Sequence, residues 1–221
     1  EKFRYAQKKI LASGVNTMGK QYLVYWVIHD GDLFENHPEL ICATQTNITP
    51  NFDQKQLVFG QGKISKSWPQ DVSVLVSGTE PVDFLLCTPY IEIVSNRAKD
   101  VIEDLANDEV EFLPVEVFFE DGKPYMPMKY WAINILLTLD ALDWEQTIWT
   151  DPSPPRRDNP LAALSIIKPC LLAKNIENHH FFRIRVASRV DSPKYISREL
   201  KQRLENKKFV LGMEFGPIKA I

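Results

Sequence analysis

Three acidic residues beside a tryptophan are the part of the sequence whose residue types best suit chemistry. Asp140, Asp143 and Glu145 lie close together around Trp144. Carboxylates that converge can hold a divalent cation or act as a general acid and base. Asp140 and Asp143 share a face only if the segment is helical, and no histidine lies at ligand spacing. A metal-dependent hydrolase that uses these three carboxylates is therefore a weaker hypothesis than a solvated or partner-facing acidic edge.

Two serines, each followed by a lysine four residues later, form a second candidate for chemistry. Ser95 precedes Lys99 and Ser197 precedes Lys201, which superficially resembles a serine–lysine nucleophile pair. Both serines stand directly before a segment with an apolar helical face. The pattern therefore favours two helix N-caps, each with an exposed lysine one turn later.

The histidines and the common catalytic motifs give no catalytic signal. His179 and His180 are adjacent, and adjacent side chains on a strand point to opposite faces, so the two cannot chelate one metal. His29 and His37 are isolated, and we interpret all four as turn or surface residues. The chain contains no GxGxxG, GxxxxGKS/T, HExxH or GxSxG motif. The sequence predicts no catalytic residue, no cofactor and no metal.

Composition and charge are close to the average of soluble globular proteins. The 221 residues are 44% hydrophobic and 25% charged, and the formal net charge of −3 implies no field that would concentrate nucleic acid or anionic lipid. The longest apolar run, YWAINILLTL, has about half the length of a bilayer crossing. Cys42, Cys87 and Cys170 lack CxxC spacing, which favours buried thiols in a reducing compartment. We expect a cytoplasmic protein that binds neither nucleic acid nor membrane.

Short alternating runs and one clear helical pattern predict the elements that position these residues. After Ser95, apolar residues recur at i, i+3, i+4 and i+7, which predicts an amphipathic helix. The proline-rich stretch 150–160 predicts an exposed loop. Strands are predicted at 20–34 with a turn, in short runs between 41 and 88, at 110–119 and 125–139 around an Asp-Gly turn, and at 181–188.

The segment that follows Ile91 has a shorter echo near the end of the chain. Each copy has a β-branched residue before a serine, a lysine four residues after it and an aliphatic residue seven after it, and each ends in Phe-x-Pro-aliphatic. We therefore predict an α+β fold, mainly antiparallel sheet, with two short helices in a duplicated strand–helix–strand unit. Residues 1–88 are expected to form a β-rich N-terminal part, and 89–221 a domain with the internal duplication, together in one compact structure.

Five segments in a fixed order resemble the Imm11 family of bacterial immunity proteins. They are EIVSNRAKDVIEDL, VEFLPVEV, ILLTLDALDW, FFRIRV, and KYISRELKQRL followed by GMEFGPI. The resemblance covers about residues 89–221, and 59–76 is similar to the family's preceding segment. Two features depart from the family pattern: Asn96 stands where an acidic residue is usual, and PSPPRRDNP has no clear place in it.

The resemblance implies a protein that binds a cognate bacterial toxin and prevents self-intoxication. The toxin would be encoded by an adjacent gene and bound inside the producing cell. Such a function needs a surface and not a catalytic site, so we expect no enzyme. The alternative is a non-enzymatic interaction domain with another protein partner.

The segment 139–158 is the first choice of toxin-binding surface, because aromatic and charged side chains in polar surroundings are typical of interface hot spots. Its acidic half would suit a basic, nuclease-like toxin. Trp144 would equally suit a core position between the two copies, and the sequence leaves both readings open. The hairpin tip at Glu120 and Asp121 is a second candidate edge. The predicted partner-binding residues are Asp140, Asp143, Trp144, Glu145, Trp149, Asp151, Arg156, Arg157, Glu120 and Asp121.

Overall fold

In the described residues, the computed structural model has two large β-sheets, a separate two-stranded sheet, and helices between the two large sheets. The predicted α+β fold, rich in β-sheet, is confirmed, and most of the strand pairs are antiparallel. The residues that the structure describes are 24–29, 42–46, 68–69, 71–87, 91–125, 127–151, 155–159, 162, 166–186, 189–190, 194–207 and 213–221.

Within these residues there are three helices, one more than the two that the sequence predicted. They are α1 (Asn96–Ala106), the four-residue α2 (Ala173–Ile176) and α3 (Arg198–Asn206). The strands are β1 (Val24–His29), β2 (Cys42–Thr46), β3 (Ser73–Ser77), β4 (Phe84–Cys87), β5 (Ile91–Ser95), β6 (Val110–Phe119), β7 (Tyr130–Ile135), β8 (Thr138–Leu139), β9 (Ile148–Trp149), β10 (Ile166–Lys168), β11 (Cys170–Leu171), β12 (Phe181–Val186), β13 (Arg189–Val190), β14 (Tyr195–Ser197) and β15 (Met213–Ala220).

Some predictions fall on residues that the structure does not describe. These are the turn after β1, His37, and much of the region between 41 and 88. The side chains of His29, Cys42 and Cys87 also lie outside the description. The thiol of Cys170 is buried, as predicted.

The first sheet curls around its own core. Its strand order is β2-β3-β6-β7-β5-β4, and only β3 and β6 are parallel. The edge strands β2 and β4 approach each other to within 8 Å between Cα atoms, so the sheet nearly closes. Its inner face carries the apolar residues Trp68, Val72, Val74, Val76, Val82, Leu85, Ile93, Leu113, Val115, Val117, Tyr125, Tyr130 and Ala132.

The second sheet is assembled from both ends of the described chain. Its order is β11-β15-β1-β14-β12-β13, with β8 beside β12. Strand β1 lies in its middle and pairs antiparallel with both β14 and β15. Strand β1, which precedes residue 88, therefore pairs with strands that follow it. The predicted boundary between an N-terminal part (1–88) and a second domain (89–221) stays a prediction. The core of this sheet contains Ala141, Leu142, Trp149, Ala162, Leu171, Ile176, Phe182, Ile184, Val186, Tyr195 and Ile218.

Helices α1 and α3 contact each other in a third core between the sheets. Each begins where its sequence predicts, because the cap serine is in extended conformation and its Oγ accepts a backbone N–H three residues on. Ser95 accepts from Ala98 and Ser197 from Leu200, both at 3.1 Å. The shared core contains Phe84, Val94, Ala98, Ile102, Ala106, Val110, Ile133, Ile135, Phe181, Ile196, Leu200 and Leu204.

Five strands of the first sheet match five strands of the second. The order β3-β6-β7-β5-β4 corresponds to β11-β15-β1-β14-β12, and in each the first pair is parallel and the others are antiparallel. We call the first set with α1 the first unit, and the second set with α3 the second unit. The residues that face each other across neighbouring strands also correspond. In the first unit these Cα pairs are Val94–Trp131, Pro114–Trp131, Phe84–Val94 and Val74–Val117. Their counterparts in the second unit are, in the same order, Ile196–Tyr25, Pro217–Tyr25, Phe181–Ile196 and Leu171–Ala220.

The two units differ in how the chain supplies the central strand. In the first unit, β7 follows β6 directly along the chain. In the second unit, its counterpart β1 precedes every other strand of that unit. The two units therefore have the same arrangement in space with a different order of strands along the chain.

The lysines of the two helices are mostly buried, so the prediction that they are exposed is wrong. The side chain of Lys99 is 17% exposed and that of Lys201 is 20% exposed. The Lys99 ammonium lies 5.1 Å from the centre of the Phe112 ring and 5.3 Å from that of Trp131. Lys201 lies 5.9 Å from the Phe215 ring. Each lysine covers an aromatic ring of a neighbouring strand with its stem and charge.

Candidate partner-binding surface

The predicted binding segment is fixed to the second sheet by its apolar residues and by backbone hydrogen bonds. Ala141 and Leu142 are buried in the core of that sheet. The N–H of Asp143 donates to the carbonyl of Cys170, and the N–H of Leu172 donates to that of Ala141, both at 2.8 Å. The segment is therefore held against a rigid strand, and its polar residues project from a defined backbone.

The three predicted carboxylates are not brought together. Oδ1 of Asp143 accepts the N–H groups of Glu145 and Gln146 at 2.9 Å each, so this carboxylate caps a turn. Asp140 and Glu145 are exposed. No three His, Cys, Asp or Glu residues in the described ranges form a group that could hold a metal ion. The geometry gives the hydrolase hypothesis no support.

Trp144 and Trp149 form a stacked pair that spans from the core to the surface. Their ring centroids are 5.1 Å apart at an interplanar angle of 27°. Trp149 is buried, and its Nε1 donates to the carbonyl of Trp144 at 3.2 Å. Trp144 is partly buried against the core, and the guanidinium of Arg157 lies 5.7 Å from its ring centre. One part of Trp144 therefore packs against the core of the second sheet, not in the core between the two copies, and its role in binding stays a prediction.

The same segment of the chain carries exposed charged and apolar side chains. Asp151, Arg156 and Arg157 are exposed, and Arg156 pairs with Asp158 at 3.0 Å. The described part of the proline-rich stretch has no helix or strand, as predicted. Ile148 is 53% exposed, and sequence reasoning missed it. The alternation of side chains along a strand could have indicated this exposure, because Ile148 is next to the buried Trp149 and so points to the opposite face.

The second candidate edge is the hairpin tip between β6 and β7. Gly122 has a φ of +82°, and its N–H donates to the carbonyl of Phe119, so the predicted Asp-Gly turn is present. Lys123 pairs with Asp121 at 2.5 Å, and this hydrogen bond lowers the pKa of the Asp121 carboxyl. Glu120 is exposed beside the pair. At the tip, Asp121 is therefore already paired with Lys123, whereas Glu120 is not part of that pair.

A sequence model of the Imm11 immunity protein family matches residues 13–220. The chain belongs to the Imm11 family of immunity proteins. The family gives this chain a toxin-immunity role. No curated protein matches the chain. None of the described helices is long and apolar enough to cross a membrane.

This Imm11 protein also contains a polar junction between its units that sequence reasoning missed. Oε2 of Glu109 accepts the N–H groups of His180 at 2.8 Å and Phe181 at 2.6 Å. Its Oε1 lies 2.9 Å from Nδ1 of His179. Nδ1 of His180 lies 2.9 Å from Oγ of Ser197. The two histidines are partly exposed and directly follow a turn, which is consistent with the prediction of turn or surface residues, and they also have specific partners at the start of β12.

Proposed function

We propose that this Imm11 protein binds a cognate toxin protein in the cytoplasm of the producing bacterium and blocks its activity by direct contact. The toxin would be encoded by an adjacent gene. The family match over residues 13–220 is the observation that carries this proposal. A tight protein inhibitor needs a rigid surface with a few anchoring side chains, and the second sheet supports such a surface.

We also propose that the two units are copies of each other and that each contains the duplicated strand–helix–strand segment that the sequence predicts. Matched registers in four strand pairs support this, and so do side chains at corresponding positions. Ser95 Oγ contacts Asp83 at 2.5 Å, and Ser197 Oγ contacts His180 at 2.9 Å, each partner lying directly before the first residue of the corresponding strand. Residues shared by both copies are then scaffold, since both copies need them to fold.

The proposed contact surface lies outside the strands that the units share. We call it the Trp144 surface and define it by Asp140, Trp144, Glu145, Ile148, Asp151 and Arg157. Trp149 and Asp143 support it from behind, because one is buried and the other caps the turn. Arg156 flanks it in an ion pair with Asp158. The hairpin tip at Glu120 and Asp121 is a second contact region. A nuclease is the toxin class that we propose, because a nuclease carries a basic surface for its substrate.

Co-expression tests the proposed function directly. The gene that lies beside this one is induced in a sensitive bacterium, with or without this protein. We expect growth only when this protein is present, and a purified complex with a Kd in the nanomolar range or below. If no neighbouring gene product is toxic, or if growth is not rescued, the immunity role fails. Isolation of a stable complex with a non-toxic protein would instead favour the interaction-domain alternative.

A further inference from the structure

Three basic residues in and around the Trp144 surface have partners within the chain. Arg157 lies over the ring of Trp144, and Arg156 pairs with the carboxylate two residues later. The ammonium of Lys219, on the neighbouring β15, donates to Oε1 of Gln146. Of the three cations, only Arg156 is neutralised by an ion pair, while Arg157 and Lys219 are held in place and keep their charge.

The acidic residues of the same surface are in a different state. Asp140, Glu145 and Asp151 are exposed, and their carboxylates make no ion pair within the described ranges. Asp143 is the exception, because its Oδ1 is used by the turn. Three carboxylates on this surface are therefore available to a partner, beside the charges of Arg157, Lys219 and Lys168.

The apolar part of the surface is held in one orientation. Trp144 stacks on the buried Trp149, and the guanidinium of Arg157 also lies over its ring, so Trp144 loses little conformational freedom when a partner binds. Ile148, in the same segment, is 53% exposed on β9, which is paired to β10. Pre-organised aromatic and exposed aliphatic side chains are typical of the centre of an interface, and charged residues are typical of its rim.

We infer that the toxin face received at the Trp144 surface is basic and carries an apolar side chain that covers Ile148. This inference rests on the proposed function and specifies the chemistry of the partner. Lysine or arginine side chains of the toxin would face Asp140, Glu145 and Asp151. Opposite charges at a rim accelerate association, and the acceleration decreases as salt is added.

Charge reversal tests the electrostatic part with the toxin identified by co-expression. The double variant Glu145→Lys with Asp151→Lys is expected to associate about tenfold more slowly at low salt, and to lose most of the salt dependence of its association rate. The double variant Asp100→Lys with Asp108→Lys is the matched control, since it reverses two exposed acids outside both proposed contact regions. An association rate unchanged by the double variant, or changed equally by the control, would overturn the inference.

Truncation of the apolar residue tests the other part. Ile148→Ser is expected to raise the dissociation rate about tenfold, while Ile148→Val leaves it within about twofold. The side chain is exposed, so neither variant should change the melting temperature of the free protein. Equal dissociation rates for all three proteins would contradict a contact at Ile148.

Carbodiimide coupling locates the contact without any substitution. This reagent joins carboxylates to lysines that touch them, and mass spectrometry identifies the joined residues. We expect links from Asp140, Glu145 or Asp151 to toxin lysines. Links that come only from Asp100 and Asp104 on α1, or only from Glu120, would overturn the inference while the immunity role stands. Loss of the complex and of growth rescue would instead reject the proposed function itself.

Discussion

Glu92 and Lys194 form a buried ion pair and occupy corresponding positions in the two units. Glu92 lies three residues before the first cap serine, and Lys194 lies three residues before the second. Their side chains are 6% and 13% exposed. Two identical units would place identical residues at this junction, and like charges would repel each other there. Opposite charges at the two positions remove that repulsion and fix one unit against the other.

Removal of one member of this pair is expected to be costly. Lys194→Met leaves the buried Glu92 carboxylate without its ammonium partner, and the free energy of unfolding should fall by about 3–5 kcal/mol. Urea titration measures this change. The double variant Glu92→Leu with Lys194→Met should recover most of the loss, because no buried charge remains. A loss below about 1 kcal/mol in the single variant would contradict a buried, coupled pair.

The two cap serines are expected to differ in importance. Ser197→Ala removes an N-cap and a contact with the partly exposed ring of His180, and should cost about 1 kcal/mol. Ser95→Ala should cost about 1 kcal/mol more than Ser197→Ala, because Ser95 donates to the fully buried carboxylate of Asp83, which then keeps only its Arg97 partner. Urea titrations of both variants give the comparison, and equal losses would show that the contact with Asp83 adds no more than the contact with His180.

The buried lysines should also differ, because Lys99 covers two rings and Lys201 covers one. Lys99→Ala is expected to lower the free energy of unfolding by about 0.5–1 kcal/mol more than Lys201→Ala. Thermal and urea unfolding of the two variants measure the difference. Lys207→Ala, at an exposed lysine just beyond α3, is the control and should change stability little. The reverse order of the two losses would count against the ring contacts.

Alkaline pH is expected to destabilise the first sheet through its buried tyrosines. Burial raises the pKa of Tyr125 to about 12 from its ordinary value of 10.0, and nearby Glu80 adds to the rise. Burial also raises the pKa of Tyr130 well above its ordinary value. Between pH 10 and about 12 the unfolded chain releases phenol protons that the native protein retains. The free energy of unfolding should therefore decrease as pH rises through this range.

Urea titrations at a series of alkaline pH values measure this decrease. Tyr125→Phe removes one of the two phenols, so its stability should fall less steeply with pH than that of the parent protein. Phenolate absorbance gives an independent reading of the same titration. Identical slopes for both proteins would contradict the assignment to Tyr125.

A circular permutant tests the proposal that the units are copies. The new chain begins in the segment between β1 and β2, joins Ile221 to Glu1 through a flexible linker and ends after β1. Because β1 then follows β15, as β7 follows β6, we expect cooperative unfolding and growth rescue like those of the parent. A permutant that is folded by circular dichroism but unfolds in two separate steps would count against equivalent units.

Local patterns predicted the helices well, and long-range contacts explain what was missed. The starts of α1 and α3 follow from a serine before a periodic apolar face, which a short window contains. Lys99 is buried by Trp131, which belongs to a strand that follows α1. The sequence around Lys99 therefore could not predict its burial. Glu109 and His180 are 71 residues apart in sequence, and their contact arises only when the units pack.

In the candidate surface, too, local sequence predicted some features and long-range packing decided the others. The sequence identified Trp144, Glu145 and Asp151 because their types and polar surroundings are visible in one short segment. It could not separate Trp149, which is buried, from Trp144, which is partly accessible, because that depends on how the segment lies over the second sheet. By its residue type Ile148 would be expected in the core, but Trp149 beside it occupies the inward position and Ile148 points outward.

The central place of β1 imposes an order on the assembly of a newly made chain. Strand β1 is synthesised before every other described strand, yet its partner β15 lies at the end of the described chain. The first unit has all of its strands once β7 has left the ribosome, so it can form during synthesis. The second unit must wait until β15 has been made. The apolar strand VYWVIH has neither of its partners until β14 and β15 have left the ribosome, and it needs shielding from other chains while the residues between them are made.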